Sequence, residues 1–130
     1  MAQVRGSAHV AATAVVMMVT MAMVSHCEAA SKTYIVGDTG GWVSGGMDAW
    51  LKNKEFKVGD TLVFNYPNTI HNVAEVNETV YNSCQSGSVA AHSSGHDSIT
   101  LKTKGVHYFI CTKPNHCKGG MKMKLTASAS

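Results

Sequence analysis

The sequence has few charged residues and almost no proline. Of its 130 residues, 15% are charged, 45% are hydrophobic and only 2 are prolines. So apolar and weakly charged a chain is not typical of intrinsic disorder, and its length suits one domain. The formal net charge of +3 is too small to indicate a dedicated nucleic-acid-binding protein.

The sequence also lacks a hydrophobic run long enough to span a membrane. Its longest uncharged apolar stretch, residues 10–24, covers about 22 Å as a helix, whereas a bilayer core is about 30 Å thick. Arg5 precedes this stretch, and Cys27 and Ala29 follow it at the spacing of a signal-peptidase site. We therefore predict a secretory signal peptide at residues 1–29, cleaved after Ala29, rather than a membrane anchor. No hydrophobic tail for a lipid anchor follows, so we expect a secreted domain of residues 30–130.

Acidic residues are missing from the last quarter of the chain. Residues 98–130 contain six lysines and no acidic residue, whereas residues 30–97 contain four lysines and seven acidic residues. The lysines either protect exposed strand edges or form a basic surface around a functional site.

No long helical periodicity and no internal repeat is present. Short runs rich in β-branched and aromatic residues alternate with Gly, Asn and Pro, which predicts an all-β, antiparallel sandwich or barrel. A short helix or turn is predicted near residues 81–85, and residues 38–46 and 87–95 are predicted loops. The predicted strands are residues 33–36, 61–66, 72–76, 98–101, 106–111 and 121–125.

The predicted mature domain keeps an odd number of cysteines: Cys84, Cys111 and Cys117. At most one disulfide can form within the chain, by any of three pairings, and one thiol is left over. A leftover thiol in a secreted protein usually has a function or a partner.

That thiol belongs to a metal-binding pattern if it is Cys111. Cys111, His116 and Met121 follow one another at five-residue intervals, and a thiolate, an imidazole and a thioether together favour copper. A blue-copper site needs a second histidine, for which His71, beside a turn and before a predicted strand, is the best candidate. Only the pairing of Cys84 with Cys117 is compatible with such a site.

Two alternatives to copper are a zinc site and a catalytic cysteine–histidine pair. Zinc is disfavoured because a thioether is a poor zinc ligand, and a catalytic cysteine–histidine pair because a buried strand end is an unusual place for a nucleophile. The remaining histidines and methionines of the domain are interpreted as ordinary packing or surface residues: His92, His96, His107, Met47 and Met123.

The domain resembles the phytocyanins, the plant blue-copper cupredoxins, and within them the plantacyanin or basic blue protein branch. The segments that carry the resemblance are YIVGDTGGW, FKVGDTLVFNY, IHNV and YFICTKPNHCKGGMK. Met at position 121, rather than Gln, argues against the stellacyanin branch. One departure is Lys113-Pro114-Asn115, where many relatives have an aromatic-Pro-Gly run, which makes this edge more cationic.

The resemblance implies a cupredoxin Greek-key β-sandwich or barrel of about seven or eight strands with one or two short helices. It implies one type 1 copper, a structural disulfide, and a hydrogen bond from Asn72 across the two ligand loops. The implied copper ligands are His71, Cys111, His116 and the axial Met121, and the implied disulfide is Cys84–Cys117.

The implied function is transfer of single electrons between Cu(I) and Cu(II), which makes the protein a carrier rather than an enzyme. The edge of His116, flanked by Lys113 and Lys118, would favour an anionic redox partner or acidic cell-wall polymers, and a monomer without a membrane anchor is expected. The alternative is an extracellular cell-wall or signalling protein in which redox is incidental. Asn77-Glu78-Thr79 is also an acceptor sequence for N-glycosylation.

Overall fold

The structure, a computed structural model, describes residues 30–130, so the predicted signal peptide at residues 1–29 lies outside the described part. Seven strands and two α-helices occur within it. The helices are α1 (Met47–Leu51) and α2 (Glu78–Ser83), and a 3₁₀ turn spans Asp38–Gly40. The strands are β1 (Thr33–Ile35), β2 (Phe56–Lys57), β3 (Thr61–Asn65), β4 (Ala74–Val76), β5 (His96–Thr100), β6 (Gly105–Ile110) and β7 (Lys122–Ser128).

The strands form two sheets, of order β1-β3-β5 and β2-β7-β6-β4. The all-β class with short helices is therefore confirmed. The sheets are mixed rather than wholly antiparallel, because β1 pairs with β3 and β2 with β7 in parallel. Parallel pairing needs a long crossover between the partners, and the segments that separate these pairs along the chain provide it.

The main core lies between the inner faces of the two sheets. Along β7 buried and exposed residues alternate, which places Met123, Leu125 and Ala127 on the inner face. Phe64 of β3 packs against Phe109 of β6, with ring centroids 5.3 Å apart, and this contact joins the two sheets near their centre.

Two elements lie where the sequence predicts none. Helix α1 has five residues, too few to show a helical period, and it is anchored by the buried Met47 and Trp50. Strand β2 has two residues. Helix α2 begins at Glu78, earlier than predicted, because the Asn77 side chain accepts a hydrogen bond from the Val80 amide and caps it.

Among residues 30–130, no helix has both the length and the apolar character that crossing a membrane requires.

Candidate metal centre

Three chain segments meet at one end of the sandwich because of the strand pairing. Cys111 directly follows β6, and Met121 directly precedes β7, which runs antiparallel to β6. Strand β4 is also antiparallel to β6, and Ala74 at its start is opposite Ile110 at the end of β6. His71, just ahead of β4, therefore lies at the same end as Cys111.

The loop of residues 111–121 is folded back on itself by backbone hydrogen bonds. The Cys111 amide donates to the Met121 carbonyl at 3.1 Å, which extends the β6–β7 ladder into the loop. The Met121 amide in turn donates to the His116 carbonyl at 2.9 Å. Asn115 and Gly120 have φ angles of 65° and 104°, so the turns use the left-handed backbone that Asn and Gly tolerate best.

The side chains of His71, Cys111 and His116 converge. The Nδ1 atoms of the two histidines are 3.1 Å apart, and the Cys111 Sγ atom is 3.4 Å from the His116 Nδ1 atom. Ligand atoms of all three residues lie within 4.8 Å of one another. Cys111 is fully buried and the histidines are half-buried. Burial, and secondarily the neighbouring His116, lower the pKa of His71, which favours the neutral imidazole that binds metals.

Met121 lies beside this cluster. It is fully buried in the main core, as is Cys111, and its backbone is hydrogen-bonded to both Cys111 and His116. The only thioether in residues 111–121 is thereby held within the ligand loop.

Asn72 ties together the segments that carry His71 and Cys111. Its Nδ2 atom donates to Thr112 Oγ1 and its Oδ1 atom accepts from the Thr112 amide, both at 2.7 Å. The two tied residues directly follow His71 and Cys111. The sequence predicted a hydrogen bond from Asn72 across the two loops but did not indicate its partner. The position of Thr112 directly after Cys111 could have suggested it.

A disulfide joins Cys84 to Cys117, the residue after His116. Cys84 directly follows helix α2 as its C-cap, so the bridge fastens the loop of residues 111–121 to that helix. Around it lies a second, smaller core that includes Ala74, Ile110 and Val80. Within residues 30–130, Cys111 is the free cysteine.

The other histidines of the described chain have different partners. His107 is buried, with Nδ1 2.5 Å from Glu75 Oε1 and Nε2 2.7 Å from the Thr103 carbonyl. The His96 ring is hydrogen-bonded to Asn65, and the backbone of His92 pairs with Val73. These three histidines therefore make contacts outside the cluster. Among residues 30–130, the group of side chains that could hold a metal ion is His71, Cys111 and His116.

The donor set fits copper. A free, buried thiol beside two imidazole nitrogens, with a thioether held in the same loop, matches the preference of copper for soft and imidazole ligands. The Glu75 carboxylate and the Thr103 carbonyl are hydrogen-bonded to His107 instead. A two-sheet β-sandwich with a cysteine–histidine cluster at one end defines a type 1 copper protein of the cupredoxin class.

Comparisons with known proteins agree with this class. The plastocyanin-like domain family matches residues 42–121. The "Basic blue protein" of Arabidopsis thaliana is 43% identical over 130 residues, covering 98% of this chain and 99% of that protein. The "Blue copper protein" of Pisum sativum is 52% identical over 99 residues, which are 75% of this chain. The alignment spans about half (52%) of the pea protein's own length.

Similarity to a solved structure extends the agreement to the fold. The structure of cucumber basic protein, a blue copper protein, superposes with a TM-score of 0.68 at 42% identity, covering 73% of this chain and 98% of that one. This chain belongs to the plastocyanin-like domain family and is a phytocyanin. It is a type 1 copper electron-transfer protein.

Proposed function

We propose that His71, Cys111, His116 and Met121 hold one copper ion and that the mature protein carries single electrons without acting as an enzyme. The observation that supports this most directly is that the ligand atoms of His71, His116 and the buried Cys111 lie within 4.8 Å of one another. When bound, copper supplies a one-electron couple between Cu(I) and Cu(II).

In this function the polypeptide holds the proposed copper ligands in a fixed arrangement and excludes water from them. Cys111 and Met121 are fully buried, so water is kept from two of the proposed ligands. The Asn72–Thr112 hydrogen bonds and the Cys84–Cys117 disulfide restrain the segments that carry the donors. A restrained donor set rearranges little when an electron arrives or leaves, which keeps the cost of transfer low.

The proposed route for the electron is the edge of His116, which is half-buried and therefore reaches the surface. Lys118 beside it is exposed and Lys113 is half-buried, while Ile70, next to His71, is 52% exposed. A surface with an apolar residue and two cations suits a partner with an anionic face, either a redox protein or an acidic cell-wall polymer.

A visible absorption spectrum of the copper-loaded mature protein tests the ligand assignment. The oxidised protein should be blue, because electron density moves from the Cys111 thiolate to copper on excitation. Cys111→Ser removes the thiolate and should abolish the colour. A colourless wild-type protein that takes up zinc in preference to copper would overturn the assignment.

Salt dependence tests the partner chemistry. Reduction by an anionic small-molecule donor should slow as ionic strength rises, and Lys113→Gln with Lys118→Gln should slow it at low salt. Lys104→Gln is the matched control, because Lys104 precedes the end of β6 that lies about 20 Å from Cys111. Equal effects of the two sets of substitutions would argue against docking at His116.

We also propose that residues 1–29 direct secretion and that the monomeric mature chain begins at Ala30. The support is the apolar run of residues 10–24 followed by Cys27 and Ala29. Mass spectrometry of protein secreted by plant cells should find Ala30 at the amino terminus, and size-exclusion chromatography should show a monomer. Retention of residues 1–29 in extracellular protein would contradict this proposal.

A further inference from the structure

Trp42 is a fully buried residue whose side chain is hydrogen-bonded to the backbone of the segment that carries His71. Its indole Nε1 atom donates a buried hydrogen bond of 3.0 Å to the carbonyl oxygen of Asn72, 30 positions away along the chain. Asn72 directly follows His71, and its side chain is the one that holds Thr112. One carbonyl therefore links Trp42 to both ligand-bearing segments.

Trp42 is itself held by the three-stranded sheet. Its amide donates to the carbonyl of Asn65, at the end of β3, at 2.8 Å, and its ring packs edge-on against Phe64 at 5.2 Å. The approach requires glycine at position 41, because a Cβ atom there would lie 2.6 Å from the Asn65 carbonyl oxygen. Gly41 thus allows the close backbone approach that positions the Trp42 indole.

The residues after Trp42 contact the other side of the centre. The Ser44 hydroxyl donates to the Gly119 carbonyl at 3.1 Å, and the Gly45 amide donates to the Gly120 carbonyl at 3.2 Å. Gly119 and Gly120 form the turn that leads into Met121. Residues 42–45, here called the strap, therefore bind the segment after His71 and the segment before Met121.

We propose that the strap is a positioning element for the copper centre, with Trp42 as its principal positioning residue. This inference rests on the proposed assignment of His71, Cys111, His116 and Met121 as ligands. The strap does not touch the ligands directly. The Trp42 indole fixes the peptide between Asn72 and Val73, and that peptide orients the Asn72 side chain and His71, the residue before it.

Loss of the indole N–H should be felt at the centre for a simple reason. The Asn72 carbonyl is buried, and without its donor it would turn toward another partner or remain unsatisfied, which is unfavourable. A rotation of that peptide would move His71 and would also loosen the hydrogen bonds between the Asn72 side chain and Thr112. Changes to residues that orient metal ligands typically weaken metal binding about 10- to 100-fold.

The chain contains its own control for this experiment. Trp50 is also a buried tryptophan, 7% exposed, but its Nε1 atom has no hydrogen-bond partner. Trp42→Phe and Trp50→Phe both remove about the same buried volume, and only Trp42→Phe removes a hydrogen bond to the metal centre. The two variants are compared in the copper-loaded protein by the rate of copper release to a chelator and by the shape of the charge-transfer spectrum.

Trp42→Phe should release copper about tenfold faster than Trp50→Phe and should change the charge-transfer spectrum. The tenfold effect is the low end of the 10- to 100-fold range, because Trp42 acts through Asn72. In metal-free protein, amide hydrogen exchange at Thr112 should also be faster in Trp42→Phe. Equal release rates, spectra and exchange in the two variants would overturn the role of the strap.

Failure of the ligand assignment would give a different result. If the wild-type protein did not bind copper, the assignment would fall, whereas the exchange at Thr112 would still report on the strap. If Trp42→Phe did not fold, a benzothienylalanine at position 42, in the Trp50→Phe background, would keep the ring shape and remove only the N–H donor. Ser44→Ala tests the other end of the strap and should speed copper release, since its lost bond holds the Gly119 carbonyl.

Discussion

At the scale of single residues, Met121 is the proposed ligand whose replacement should tune the centre rather than abolish it. Met121 offers a thioether, a weak donor, whereas the thiolate and the two imidazoles are strong donors. It is fully buried, so a replacement changes the donor and the dryness of the site together. Substitution at position 121 should therefore shift the reduction potential rather than prevent copper binding.

Met121→Gln should remain blue and have a lower reduction potential, because an oxygen donor favours Cu(II) over Cu(I). Met121→Leu should have a higher potential, because it removes a donor and keeps the site apolar. His71→Ala and His116→Ala, by contrast, should lose copper affinity or the blue colour. Voltammetry and absorption spectra measure these effects. An unchanged potential in Met121→Gln, or no copper binding by Met121→Leu, would show that Met121 is not the axial ligand.

The environment of Tyr66 predicts that the folded chain loses stability at alkaline pH. Its buried hydroxyl donates to the His92 carbonyl at 2.9 Å and lies within hydrogen-bond distance of Asp97. Burial, and then the bond to Asp97, raise the pKa of Tyr66 from 10.0 to about 12. The neutral phenol is thus the form that the fold favours.

Because this pKa is higher in the folded than in the unfolded chain, the stabilisation is complete below about pH 10 and is lost as pH rises toward 12. The difference corresponds to about 2–3 kcal/mol in the free energy of unfolding. Urea unfolding at several pH values should show wild type more stable than Tyr66→Phe at pH 8, with the gap narrowing above pH 10. A gap that stayed constant to pH 11.5 would contradict this account of Tyr66.

Among the elements, helix α2 is joined covalently to the loop of residues 111–121, because Cys84 at its end forms the disulfide with Cys117. Asn77 caps its start, and Cys84, whose φ of 56° is left-handed, caps its end. The cap uses the Oδ1 atom of Asn77, and a glycan would be attached to the Nδ2 atom. Asn77 is exposed, so capping and glycosylation are compatible.

We expect Asn77→Ala to lower the free energy of unfolding by about 1 kcal/mol, since it removes the cap. Asn77→Asp is the control, because it keeps an acceptor oxygen and removes the glycan acceptor. Protein from plant cells should shift in gel mobility after glycosidase treatment, and neither variant should shift. Unfolding in urea and gel mobility give the two readouts, and a wild-type protein insensitive to glycosidase would contradict glycosylation at Asn77.

At the scale of the whole molecule, two cores support the metal centre from opposite sides of one sheet. The larger core between the sheets contains Cys111 and Met121, and the smaller one beneath α2 contains Ile110 and Cys117. The β6 strand contributes to both cores. The Cys84–Cys117 disulfide, which closes a separation of 33 residues, holds the smaller core against the ligand loop.

Replacing both cysteines, as in Cys84→Ala with Cys117→Ala, should lower the free energy of unfolding by about 3–4 kcal/mol on the chain-entropy estimate for this loop. It should also speed copper release, because Cys117 adjoins His116. Denaturant unfolding of metal-free protein and chelator competition measure the two effects. If peptide mapping of wild type found Cys111 in the disulfide, this prediction and the copper assignment would both be rejected.

The sequence by itself determined the features that depend on neighbours along the chain. The spacing of Cys111, His116 and Met121 places all three in one loop. The odd number of cysteines in the mature domain indicated a free thiol. The overall class of fold followed from the short punctuated strands, and the resemblance carried by four motifs supplied the rest of the expectation.

The tertiary structure alone decided the contacts between distant segments. The parallel pairing of β1 with β3, the position of Thr112 opposite Asn72, and the hydrogen bond from Trp42 to the Asn72 carbonyl join residues 28 to 40 positions apart. Helix α1 and strand β2 also escaped prediction, since elements of five and two residues have too few positions to show a period. Local spacing constrains a chain over one or two turns, whereas these contacts depend on how crossovers return the chain to a neighbouring strand.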